Sequence, residues 1–81
     1  MDVEKTVKYI LSELSGEKNI ENDYMLQEKL LLDSLAMVTM LIEIEDSLDI
    51  ELDESDMNPF KLDTVQSVID MVSKYCGDKD E

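Results

Sequence analysis

The sequence predicts an all-α fold: a small four-helix bundle made of three longer helices and one short helix, with a long first loop. Three observations carry that expectation. Apolar residues recur at spacings of three and four along most of the chain. Aromatic residues are only 5% of the sequence, with no Trp, one Pro and two Gly, which suits helices better than a turn-rich sandwich. Capping residues stand where the apolar stripes begin. At 81 residues the chain has room for one small core and one domain.

The first helix is expected over residues 2 to 15, where Val3, Val7, Ile10, Leu11 and Leu14 form one stripe while Glu4, Lys8 and Glu13 fall elsewhere. Gly16 then closes it in the left-handed conformation. Residues 16–32 form a connection that is polar as far as Asp23 and then apolar at Tyr24, Met25, Leu26, Leu30, Leu31 and Leu32, as a loop packed onto the bundle would be. The second helix, from Leu35 to Leu48, is the most apolar element, with Met37 and Met40 on faces other than that of Leu35, Val38, Leu41, Ile42, Ile44 and Leu48. Asp33 and Ser34 are good caps at its head.

An acidic stretch from Asp46 to Asp56 follows, in which Asp53 caps a short third helix that stops near Pro59. Asp63, Thr64 and Gln66 resemble a capping box. The last helix carries Val65, Val68, Ile69, Val72 and Tyr75 on its stripe, with Asp70 and Lys74 as an exposed pair four residues apart. The domain is expected over residues 1–76, with 77–81 a solvated tail.

Twenty-one acids against seven bases give a net charge of -14, which repels nucleic acid and anionic membrane surfaces and calls for partners with basic patches. A lone Cys76 cannot form an internal disulfide, and near no base it reads as incidental. With no apolar run long enough for a signal peptide or membrane span, a cytoplasmic monomer is the simplest expectation. The chain has no His, hence no Ser-His or Cys-His nucleophile pair and no His-ligated metal site. We therefore assign no catalytic residue and no metal ligand, and expect a protein that is not itself an enzyme.

Ser34 alone would read as a helix cap. Its setting gives it more: it follows a long loop, is preceded by Leu31, Leu32 and Asp33, and opens the most apolar helix through Leu35. The string Leu32-Asp33-Ser34-Leu35, and the later string Asp63-Thr64-Val65-Gln66-Ser67-Val68-Ile69-Asp70, resemble the acyl and peptidyl carrier protein family over nearly the whole chain. The resemblance implies that Ser34 bears 4′-phosphopantetheine, with Asp33 and Leu35 flanking the attachment. A separate phosphopantetheinyl transferase would install the arm from coenzyme A with a metal ion, so the serine needs no internal base. A phosphodiester there would also meet unpaired amides and the positive end of the helix dipole.

The resemblance further implies that the second helix is the docking surface. Asp33, Glu45 and Asp46 are the acids expected to meet Lys and Arg of a loading ligase or transferase and of downstream synthases, with Val38 and Ile42 as apolar contacts. Glu43 and Asp49 divide evenly between contact and solvation. Met37 and Met40 invite a choice between core and adaptable contact. Leu41, Ile44 and Leu48 are expected to line the core or an acyl pocket. The sequence departs from the common fatty-acid-synthesis pattern, which favours a Gly before the Asp-Ser-Leu string and acids soon after it. Here stand Leu31, Leu32, Ala36 and Thr39, and a Leu-Leu-Asp-Ser string with small or neutral residues beyond it also resembles D-alanyl and other aminoacyl carriers, so acyl and aminoacyl cargoes both stay open.

Two readings of other classes compete. A calcium loop starting at Asp49 puts Glu54 where Gly is required and Phe60 where the terminal Glu belongs, so its spacing fails. An acidic helical interaction module without a prosthetic group explains the charge equally well, but not the Asp-Ser-Leu string at the head of the central helix. The charge itself yields a test. Raising sodium chloride from roughly 10 mM to roughly 150 mM shortens the screening length from about 30 Å to about 8 Å. The thermal midpoint followed by circular dichroism should rise by several degrees; an unchanged midpoint would show that self-repulsion does not limit the fold.

Overall fold

Ile10 and Leu11 follow Val7 at three and four residues, about one helical turn, and the three are buried together on the inner face of α1, Val3–Ser15. The computed structural model describes residues 3–58 and 61–76. Among them the chain forms three α-helices, one 3₁₀ turn and one isolated antiparallel bridge between Met25 and Thr64. The expected helical position at residue 2, the stop at Pro59 and the tail 77–81 lie outside the described residues. α1 ends at Gly16, whose φ of +83° suits a residue without Cβ and whose N–H reaches Ser12 O at 2.9 Å.

α2, Ser34–Leu48, runs the length of the core, and α1 packs against both α2 and α3, Val65–Cys76. Met37, Met40, Leu41 and Ile44 are all fully buried. The two methionines therefore belong to the core. Leu26, Leu30, Leu32, Leu52 and Leu62, all outside the helices, join the same cluster, so the core is built from the connections as well as from the helices. Burying each such leucine contributes about 2 kcal/mol. α2 closes at Asp49, whose φ of 55° is left-handed, with the Asp49 and Ile50 N–H groups both donating to Glu45 O.

The expected short third helix is a single 3₁₀ turn, Glu54–Met57, and Asp53 makes no side-chain cap to it. Nothing in this turn is buried, so no apolar stripe supports a longer helix. It is held from outside instead. Glu45 accepts from Leu52 N–H at 2.8 Å, and the Tyr75 hydroxyl accepts from Asp53 N–H at 3.0 Å while donating to the Asp56 carboxylate. Lys74 Nζ stands 3.6 Å from Asp56. The expected Asp70–Lys74 pair does not form: Lys74 turns to Asp56, and Asp70 accepts from Gln66 Nε2 at 2.9 Å.

The first loop packs down as expected, with Leu26, Leu30 and Leu32 buried. Leu31 departs from that pattern, being 79% exposed at a φ of 58°. The loop is fastened to the start of α3 by backbone pairing: Leu26 N–H to Asp63 O at 2.8 Å, Val65 N–H to Tyr24 O at 3.0 Å and Gln66 N–H to Asn22 O at 2.8 Å. The capping box of α3 is shifted by one residue from the expected Asp63/Gln66 pair. Ser67 N–H donates to Thr64 Oγ1 and Thr64 N–H donates to Ser67 Oγ, both at 3.1 Å. Gln66 is engaged elsewhere, with Asn22 and Asp70.

The Tyr75 hydroxyl holds the Asp56 carboxyl below its ordinary value of 3.8, helped by the nearby charges of Lys74 and Lys61. The same hydrogen bond raises the Tyr75 phenol above 10.0. A lowered carboxyl adds stability above its unfolded value and loses it as acid protonates the folded form. A raised phenol adds stability that is lost as alkali ionises it. The latch therefore holds between about pH 4 and about pH 10. In Tyr75→Phe the fall of the thermal midpoint from pH 5 to pH 3 should be shallower than in the parent. Parallel curves would show that the latch adds nothing.

Candidate functional site

The first turns of α2 and α3 treat their backbone amides in opposite ways. In α3 all four opening N–H groups have partners: Val65 and Gln66 donate to the loop carbonyls of Tyr24 and Asn22, Ser67 to Thr64 Oγ1, and Val68 to Thr64 O. In α2 Asp33 is the N-cap, in extended backbone, with its Oδ1 accepting from Ala36 N–H at 2.8 Å and its carbonyl from Met37 N–H at 2.9 Å. The Ser34 and Leu35 N–H groups have no partner among the described residues. Both residues are exposed, so the Ser34 hydroxyl and two open amides share the positive end of a 15-residue helix. A phosphodiester on Ser34 fits there: the amides are unspent and the only carboxylate in the turn, Asp33, is already turned to Ala36.

Helical geometry sorts the other expected residues onto two faces of α2. Leu35, Val38, Ile42 and Asp46 recur at intervals that keep them on one side, with Leu35 75% and Ile42 50% exposed, Val38 half-buried and Asp46 exposed. The opposite side carries Leu41 and Ile44, fully buried, and Leu48, half-buried against the core. The expected contact residues and pocket residues are thus segregated. Glu45 lies between, half-buried, with one oxygen committed to Leu52 N–H. Glu43 and Asp49 are exposed.

An open groove of about 630 Å³ lies at the other end of α2, lined by Glu45, Glu51, Leu52, Asp53, Glu54, Met57 and Tyr75. The helix axis, about 22 Å long for 15 residues, separates it from Ser34. Among the described residues no three His, Cys, Asp or Glu side chains are placed to hold a metal ion, and no helix is long and apolar enough to cross a membrane. Leu31, to which sequence reasoning assigns no role at the site, stands exposed three residues before Ser34. The Asn22–Gln66 pair also escapes that reasoning, since its only sequence signal is a polar residue in each of two segments that a bundle brings together.

The cap is testable apart from the serine. Asp33→Ala should lower unfolding stability by about 1 kcal/mol, whereas Asp33→Asn, which keeps a side-chain acceptor, should lose a few tenths at most. Urea denaturation of the three proteins measures both; equal losses would assign the effect to charge instead of capping.

Residues 6–72 match the family described as the phosphopantetheine attachment site. An acyl carrier protein of Buchnera aphidicola subsp. Baizongia pistaciae is 33% identical over 76 residues, covering 91% of this chain and 95% of that protein. A D-alanyl carrier protein of Enterococcus faecalis is 38% identical over 74 residues, covering 89% and 95%. Another from Latilactobacillus sakei is 37% identical over 71 residues, covering 85% and 91%. The chain is therefore a member of the phosphopantetheine-binding carrier family, with covalently attached 4′-phosphopantetheine as its prosthetic group.

Proposed function

We propose that Ser34 is the attachment residue and that the protein is an acyl carrier, delivering acyl intermediates to partner enzymes of fatty-acid or related biosynthesis as a loaded cosubstrate and not as a catalyst. The observation that carries the attachment is the open first turn of α2, where an exposed hydroxyl stands beside two unpartnered amides. During loading, Ser34 Oγ attacks the phosphorus of coenzyme A that bears the pantetheine arm. A P–O bond of the pyrophosphate breaks, the adenosine bisphosphate leaves and the serine proton passes to a base of the transferase. The arm supplies a terminal thiol on which cargo rides as a thioester.

Asp33, Val38, Ile42, Glu45 and Asp46 are the contacts we assign to partners with basic docking patches. The exposed apolar side of α2 beside Asp46 and Glu43 supports this, and no Lys or Arg interrupts the helix. Leu41, Ile44 and Leu48 are assigned to acyl-chain lining on the buried side. A D-alanyl cargo is the second reading, supported by Leu31-Leu32-Asp33-Ser34 with neutral Ala36 and Thr39 beyond it, and by relatives that bear that name.

Intact mass before and after incubation with coenzyme A and a broad-specificity phosphopantetheinyl transferase tests the attachment. The parent should gain one phosphopantetheine and Ser34→Ala none. A folded parent that gains nothing, or a mutant that still gains the group, overturns the assignment. Charging the product with D-alanine or with acyl donors by the respective ligases then separates the two cargoes.

A further inference from the structure

We propose that Gln66 is a positioning residue for the modification of Ser34, acting through the first loop without touching the serine. The inference rests on Ser34 as the attachment residue. Its basis is a continuous hydrogen-bonded path from α3 to the head of α2. Leu32, two residues before Ser34, donates its N–H to Leu26 O at 3.0 Å, and Leu26 donates its own to Asp63 O at 2.8 Å. The pairing continues through Val65 N–H to Tyr24 O and ends at Gln66 N–H to Asn22 O.

Gln66 closes that end twice. Its side-chain Oε1 accepts from Asn22 Nδ2 at 2.6 Å, and its Nε2 donates to Asp70 Oδ1 at 2.9 Å. A carboxylate oxygen accepts and does not donate, so Asp70 Oδ1 orients the Gln66 amide with Nε2 outward and Oε1 toward Asn22. Asn22 is thereby held by backbone and side chain together, at the point where the loop's polar first half gives way to its buried second half. Between Gly16 and Asn22 only Ile20 reaches the core. Without the Asn22–Gln66 pair, fraying from this end would reach Leu26 and Leu32, and with them the approach to the Asp33 cap.

A loop that is docked only part of the time lowers the fraction of carrier presenting Ser34 correctly, which raises the apparent KM of the transferase for the carrier and leaves kcat alone. In Gln66→Ala the Leu26 and Leu32 amides should exchange hydrogen about five-fold faster, the factor that one net hydrogen bond represents. KM should rise by no more than that same factor, with kcat unchanged. Asn22→Ala should reproduce both effects. The double variant Gln66→Glu/Asp70→Asn rebuilds the path with donor and acceptor exchanged at its outer end. The introduced carboxylate accepts from Asn22 on one side and from the introduced amide on the other, so KM should return to the parent value.

Faster exchange with an unchanged KM would overturn the inference, as would unchanged exchange or a double variant that fails to restore KM. A parent protein left unmodified by the transferase would overturn the attachment at Ser34 itself, a result separate from any difference among the Gln66 variants.

Discussion

Every α-helix begins with backbone amides that have no partner inside the helix, and the disposal of those amides at two helix starts governs this molecule. At α3 they are consumed by the first loop and by Thr64, which fixes a 17-residue connection that would otherwise have little to hold its polar half. At α2 two of them are left to solvent beside Ser34. The two outcomes are coupled, because the loop tied down at α3 is the loop that leads into α2.

The second constraint is that α2 must serve two environments along its whole length. One side fills the centre of the core with Met37, Met40, Leu41 and Ile44; the other keeps Leu35 and Ile42 in water, an arrangement that costs solubility and adds nothing to packing. The acids around that side limit association between copies of so negative a chain while leaving it attractive to bases. Glu45 belongs to both functions, since its half-buried carboxylate holds the segment after α2 through Leu52.

What could be read from sequence was what depends on neighbours in the chain. The stripes of α1 and α3, the stop at Gly16 and the Asp33 cap follow from spacings of three and four or from a single residue's conformational preference. What could not be read depends on distant partners. Met37 and Met40 are buried in a core that also takes in leucines of the connections, and no helical period in α2 encodes those leucines. Thr64, not Asp63, is the cap, while the Asp63 carbonyl accepts from Leu26 in the distant first loop. The short third helix was expected from capping chemistry alone, yet without a buried stripe that chemistry supports only a turn fastened by Tyr75. At the site, the head of α2 was legible because it is local; the path through Gln66 was not, because it joins residues 44 apart.

Leu31 carries an additional consequence. Its left-handed backbone costs about 1 kcal/mol in a residue with a branched side chain, and the residue is 79% exposed. A glycine there would release the native strain but enlarge the conformational freedom of the denatured chain, and the two effects oppose each other at similar size. Position 31 is thus a nearly stability-neutral place at which to delete a side chain. Beside the head of α2, that makes it a natural attachment point for a spectroscopic label or cross-linker that reports on docking without disturbing the fold.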